Sequence, residues 1–385
     1  MKTFITILTK AIFIVPSLIL SLFGVRFVVI NHPDRIGHLC VEPDCFIKEG
    51  ALGMRPRYLG IALIPRGAAA NQVVLALWSE QLVVITSAFW CRTLQPFLLF
   101  PRTRYDTHQY AVAIDSTARC AAIYAKWGDR PPLLAMSERD QRLGLDCVEK
   151  MGLPENAWFV CVHSRDGAYS PGDEHLHSYR NSDIDSYILA MKAITERGGW
   201  CIRVGEQSSK PLPQLDHVID YAHSSFKGDS MDVFLCANCL FFLGNSSGLF
   251  LLSTVFGRKS ALANIVPVSG AIPFGHNDLG IPKLLRQKKT GQLLSYSDLL
   301  QSPAGNFRFT SQYEKQGILI EDNSAEDIRD LALEMLERIN NRIEYTKDDE
   351  ELQKRFLRLF GPGHYSYGAN SRIGRQFLRK YSHLI

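Results

Sequence analysis

Net charge, paired cysteines and long uncharged apolar runs are all scarce in this 385-residue chain. Lys and Arg number 43 against 39 Asp and Glu, a formal net charge of +4. So small an excess argues neither for nor against nucleic acid, which is not expected as a partner on other grounds. The nine cysteines are scattered, and their odd number suits a reducing compartment better than a disulfide framework. Cys236-Ala-Asn-Cys239 is a lone C-x-x-C with no second pair and no spaced His pair, so these thiols read as core residues and not as a zinc site. There is no solenoid period and no low-complexity tract, and 46% hydrophobic against 21% charged residues excludes a disordered chain.

The apolar N-terminus stops short of a spanning helix. Its uncharged part, Ala11 to Val25, is bounded by Lys10 and Arg26 and is shorter than the roughly 20 residues a crossing needs. No small-x-small cleavage site follows, and the run passes into "RFVVI", a first strand, which counts against a signal peptide. The expectation is a hydrophobic helix over 1–24 lying in or dipping into the inner face of a membrane, with Lys2, Lys10 and Arg26 toward anionic headgroups. An uncleaved signal anchor and a plain core helix are the alternatives.

What is present is an alternation of strands and helices. A chain of this length favours two domains, because single cores stop growing near about 250–300 residues. Residues 25–152 are expected to form one Rossmann-like unit, in which "VRFVVI", "RYLGIALIP" and the end of "NQVVLALWSEQLVVI" read as strands. "GLPENAWFV" reads as a linker, and 153–385 as the second unit. There "WFVCVHS" is a near-continuous apolar run suited to a buried parallel strand. "NSDIDSYILAMKAITERGG" carries a helical period with Asn181 or Ser182 as N-cap. "WCIRVG", "HVIDYA", "LFFLG" and "SALAN" read as further strands, with helices at "MDVFLCANC" and "SGLFLLSTVFG". This βαβ repetition predicts two α/β domains with parallel sheets facing a cleft.

In such sheets ligands gather beyond the carboxyl ends of the strands. "VCVHSRDGAYSPGDEHLHSYRNSDI" leaves a strand with His163, Arg165 and Asp166, and reaches a helix start with Arg180 and Asn181. Two guanidiniums beside free helix N–H groups suit a phosphate, whereas a salt-bridged surface loop is the bland reading. His163, His175 and His177 lack a familiar ligand spacing, so no metal is expected. Gly244, Asn245, Ser246, Ser247 and Gly248 form a small-residue turn whose amides and hydroxyls can hold a diphosphate, although Ser as an ordinary N-cap explains such a turn too. In "NHPDRIGHL", read as a loop after the first strand, Asp34 and His38 are candidates for a base facing an acceptor hydroxyl, with satisfied loop polar groups as the alternative. His276, Asn277, Asp278 and Lys283 follow the "SALAN" strand, where the base or sugar of a nucleotide would lie.

Taken together, "HSRDGAYSPGDEHLHSYRNSDIDSY", "GGWCIRVGE", "GNSSGLFLLSTVFG" and "PFGHNDLGIPKLLR" resemble a family of bacterial glycosyltransferases found among surface-polysaccharide genes, over most of the chain. The resemblance implies a GT-B architecture, with the nucleotide-sugar donor held mainly by the C-terminal domain. His163-x-Arg165 is also similar to a strand-end motif of the fucosyltransferase superfamily, where the arginine is associated with donor phosphate. "GNSSG" looks like the turn of nucleotide-sugar epimerases of the UDP-N-acetylglucosamine 2-epimerase type, but no Arg-x-x-Gly-Arg-like stretch follows the last strand. The expectation is therefore a metal-independent glycosyltransferase, using a nucleotide sugar as substrate and no cofactor, that elongates a lipid-linked or growing surface glycan at the cytoplasmic face of a bacterial inner membrane. Arg165, Arg180 and the 245–248 backbone would stabilise the leaving diphosphate, and His163 would orient or protonate. His38, Asp34 and Asp166 are candidate bases. An epimerase and a non-catalytic scaffold subunit are the alternatives.

Overall fold

The computed structural model describes residues 2–111, 117–167, 172, 174–270, 273–275, 277–364, 366–369 and 371–385. Four strands make the N-terminal sheet: β1 (Val25–Val29), β2 (Leu59–Leu63), β3 (Val83–Ile85) and β4 (Arg104–Asp106). They pair in parallel in the order β3-β2-β1-β4. The C-terminal unit adds β5 (Phe159–His163), β6 (Trp200–Arg203), β7 (Val218–Ile219), β8 (Phe241–Gly244), β9 (Lys259–Ile265) and β10 (Leu279–Pro282). An antiparallel pair, β11 (Leu284–Gln287) and β12 (Ile318–Glu321), follows, and β13 (Arg372–Ile373) closes the series. The large sheet is parallel throughout, in the order β13-β10-β9-β8-β5-β6-β7.

Leaving out β13, β5 to β10 lie in the Rossmann order, in which the chain turns back between its first and fourth strands. That switch point falls between β5 and β8; in the N-terminal sheet the matching gap lies between β1 and β4. The fold is thus α/β, with two Rossmann-like parallel sheets facing a cleft. Every residue of β8, and of β5 up to Val162, is buried, as helices on both faces require. At their shared end His163 pairs with Gly244. A Cβ at 244 would stand 2.6 Å from the His163 carbonyl oxygen, so only glycine fits there.

Three local expectations are revised. The loop after β1 ends at Arg35, and Ile36–Ala51 is a helix, so Gly37 and His38 occupy its first turn. The turn Ile184–Tyr187 is capped by Asp183, and the α-helix starts only at Ile188, so neither Asn181 nor Ser182 is its N-cap. Lastly, the helix Glu138–Lys150, ahead of the expected linker, packs on the helix Asp229–Asn238 of the C-terminal unit, where Gly144 lies under the Phe234 ring with no room for a Cβ.

The first helix, Lys2–Leu22, docks by Phe13 and Leu20 on Val25, Phe27 and Phe97. Among the described residues no helix is long and apolar enough to cross a membrane. All nine cysteines are free thiols, and only Cys147 is not fully buried.

Candidate functional site

A cleft of about 920 Å³ opens where the switch points of the two sheets meet. The N-terminal domain contributes Asp34, Arg35, Ile36, Gly37 and His38; the C-terminal domain contributes the ends of β5 and β8 and the segments behind them.

His163 leaves β5 with Nδ1 3.0 Å from the Val204 carbonyl oxygen. A carbonyl only accepts, so Nδ1 carries the proton and Nε2 presents a lone pair. Burial, with Arg203 and Arg165 nearby, pushes its pKa down to about 4, so near neutrality this imidazole accepts a hydrogen bond and does not supply a proton.

The loop that follows is stapled at its base. Asn245, fully buried, accepts from the Arg165 backbone N–H at 2.9 Å and donates to the Arg180 carbonyl at 3.0 Å. Ser164 Oγ adds a bond to the Ser182 carbonyl at 2.5 Å, and Lys283 Nζ reaches the Asn181 carbonyl at 2.5 Å and Asp322 at 2.7 Å. Arg165 is steadied by the Asn181 side chain, which in turn donates to Glu174 at 2.6 Å. The Arg180 guanidinium donates to the Ser246 carbonyl at 2.6 Å. Both guanidiniums lose proton affinity, first through burial and then through like charge: Arg180 acts on Arg165, and Arg35 on Arg180. Three mutually repelling cations in one cleft are relieved by a polyanion, which arginine grips bidentately.

The structure therefore brings Asp34, Gly37, His38, His163, Arg165, Asp166, Arg180, Ser246, Ser247 and Gly248 onto one surface. Asn181, Gly244, Asn245 and Lys283 lie behind it and fix the loops. Asn277 and Asp278 do not line the cleft: Asn277 approaches Arg338, and Asp278 is buried at the sheet, accepting from the Ser260 N–H at 2.8 Å. His276 lies outside the described residues. The helix after the small-residue turn begins only at Phe250, so its N–H groups do not follow Gly248 directly. Among the described residues no group of three or more His, Cys, Asp or Glu is placed to hold a metal ion.

Sequence reasoning missed Arg35, Arg308 and Glu42. Arg35 and Arg308 line the cleft. Glu42, fully buried, accepts from His38 Nδ1 at 2.6 Å, from the Asn31 N–H at 3.1 Å and from the Thr107 hydroxyl. A His and a Glu four apart would have flagged the pair once a helix was recognised there. The two domains touch at this point: a Cβ on Gly37 would stand 3.1 Å from Gly248 Cα, and one on Gly248 3.1 Å from Gly37 N.

No family model and no curated protein matches this chain. Among solved structures, the dodecameric iron-containing heptosyltransferase TibC in complex with ADP-D-β-D-heptose aligns over 60% of this chain at 13% identity, with a TM-score of 0.34. The alignment spans 55% of that protein's own length.

Proposed function

We propose that the protein is a glycosyltransferase that takes a sugar from a nucleoside-diphosphate donor. The observation that carries this reading is the arginine cluster at the β5/β8 switch point, fixed by Asn245 and faced by Arg35 from the other domain. Arg165 and Arg180 would take up the charge that develops on the leaving diphosphate, the task a divalent ion performs elsewhere. Ser246, Ser247 and Gly248 offer small side chains and backbone beside it. His163, neutral with a bare Nε2, would accept a hydroxyl of the donor and orient it. Phe250, Leu262, Val266 and Phe274 supply an apolar wall for the nucleoside. Thermal stabilisation by UDP, GDP, ADP, TDP and CMP tests the reading: one nucleotide should raise the melting temperature and Arg165→Ala should abolish the shift. No shift with any of them at millimolar concentration favours the scaffold reading. Turnover of the donor sugar without acceptor favours an epimerase.

We further propose a lipid-linked acceptor, met at a membrane surface. On the first helix Leu8, Ile12, Val15, Ile19 and Leu22 form one stripe at helical spacing, and all are exposed, Leu22 at 81%. The helix Ala88–Leu94, which leads into the turn that packs on this first helix, exposes Phe89 and Trp90. The same unit exposes more basic than acidic side chains: Lys10, Arg57, Arg66, Arg92, Arg102 and Arg104 are exposed, against Asp34, Glu80 and Asp106 among the acids between residues 7 and 106, Asp106 pairing with Arg104 at 2.8 Å. An apolar stripe with a basic rim suits an anionic bilayer. The protein should sediment with vesicles containing phosphatidylglycerol and less with neutral ones, and Ile12→Glu with Ile19→Glu should release it. Self-association without vesicle binding would assign the stripe to a second copy instead.

A further inference from the structure

We infer that His38 and Glu42 form a base dyad, with Glu42 as its positioning residue, and that the transfer inverts the anomeric centre. This inference rests on the glycosyltransferase reading above.

Glu42 projects from the second turn of the helix Ile36–Ala51 into the domain interior and is fully buried. The Asn31 N–H donates to Oε2 and His38 Nδ1 meets Oε1, while the Thr107 hydroxyl, beside Oε2, divides its one proton between this carboxylate and the Val29 carbonyl at 2.6 Å. A buried carboxylate facing Nδ1 at 2.6 Å can only accept, so in the neutral imidazole the proton sits on Nδ1 and Nε2 is left bare. His38 lines the cleft and keeps a quarter of its side chain exposed, 26%. The other candidate bases are placed less well. Asp34 is 68% exposed at its side chain and lies 3.8 Å from His32, outside any buried hydrogen-bond frame. Asp166 sits on the loop that carries Arg165, on the phosphate side.

The dyad and the arginines come from different domains. Arg165 and Arg180 belong to the C-terminal sheet and His38 to the N-terminal one, and the contact between Gly37 and Gly248 sets one against the other. An acceptor bound beside His38 would lose its proton to this side chain while the diphosphate departs toward the arginines. In that step the acceptor oxygen forms a bond to the anomeric carbon and its proton passes to His38 Nε2. The carbon–oxygen bond to the diphosphate breaks, its electron pair leaves on the diphosphate, and the new charge meets Arg165 and Arg180. A single displacement assisted by a general base inverts configuration.

Two measurements test the inference. ¹⁵N NMR of the histidine-labelled protein should show neutral His38 protonated on Nδ1; in Glu42→Gln the amide can donate instead, and the proton should move to Nε2. With the nucleotide sugar whose nucleotide stabilises the protein, early-time NMR of the glycoside or released sugar should show the anomer opposite to the donor's. Glu42→Gln should lower kcat by roughly 10²–10⁴-fold, the range for a misplaced base tautomer, with KM for the donor and nucleotide binding unchanged, and Glu42→Asp should recover part of the loss. Retained configuration, or a Glu42→Gln enzyme with wild-type kcat, overturns the dyad while leaving nucleotide binding intact. Absence of nucleotide binding overturns the glycosyltransferase reading, and the dyad with it.

Discussion

Asn245→Ala is the most informative single change outside the reacting groups. The side chain is fully buried and its two bonds, 2.9 and 3.0 Å, go to the backbone of Arg165 and Arg180 and not to their guanidiniums. Alanine leaves a buried N–H and a buried C=O without these partners. Each orphan costs about 1–3 kcal/mol, the carbonyl less because it keeps a second lone pair, so the total is about 3 kcal/mol. For a unit of this size that lowers the melting temperature by about 6–12 °C. Differential scanning calorimetry would read the loss, and a titration with the stabilising nucleotide would read its second effect, weaker binding through displaced arginines. A variant that melts within about 2 °C of the wild type and binds nucleotide equally well would refute the idea that this one amide fixes the cradle.

Other outcomes follow from the same contacts. Burial pushes Asp278 up to about 7, above an unfolded value near about 3.9, so its stabilising proton is present in acid and lost as pH rises toward neutrality. Asp278→Asn should flatten the profile, with a wild-type loss between pH 5 and 8 larger by about 3 kcal/mol in denaturant titrations; equal slopes would refute this. His163, with its depressed pKa, contributes in the opposite sense, gaining stability as pH rises from about 4 to 6.5, so the comparison must be with the variant at each pH. Arg180→Lys keeps the charge but loses the fork, and isothermal titration should show roughly tenfold weaker nucleotide binding. Gly248→Val places atoms where Gly37 N and Ile36 Cγ2 stand 3.1 Å from a Cβ; turnover should fall by roughly 10²-fold and nucleotide affinity should fall with it, because the same turn lies beside the diphosphate, and wild-type turnover would refute the close fit.

Much of the C-terminal domain was legible because its strands are buried on both faces and announce themselves as apolar runs. β5 and β8 are examples, and the arginines stood out by their place at such an end. The two-residue strands β7 and β13 exist only through their neighbours; "HVIDYA" was read as strand, whereas nothing in Arg372–Ile373 marks one. The helix Ile36–Ala51 was the largest loss. It opens with Pro33, Asp34 and Gly37 nearby, contains Pro43, and buries Glu42, Asp44, Lys48 and Glu49, so the polar face that helical reading looks for is turned inward. Asp44 and Lys48 pair at 2.7 Å, and Glu49 meets Arg119 at 2.7 Å from a distant segment. The second of these pairs joins residues 70 apart and leaves no periodic trace, whereas Asp44–Lys48 and the base dyad are four apart and show only once a helix is recognised there. Asp278 and Lys283 were misplaced for the reverse reason: charged residues in a loop beyond a strand look like ligand contacts, and here they serve as internal struts.

The meeting of Gly37 and Gly248 has a mechanical consequence. Where two backbones touch with no side chain between, no rotamer can change the spacing. Asn71 Nδ2 and the Gln72 N–H also bond Asp229 of the C-terminal unit, at 3.1 and 2.9 Å, so the units are tied at more than this one place. The separation between His38 and the small-residue turn is thus set by the course of the chain itself, as a machined stop sets a gap, and does not depend on how any side chain happens to lie.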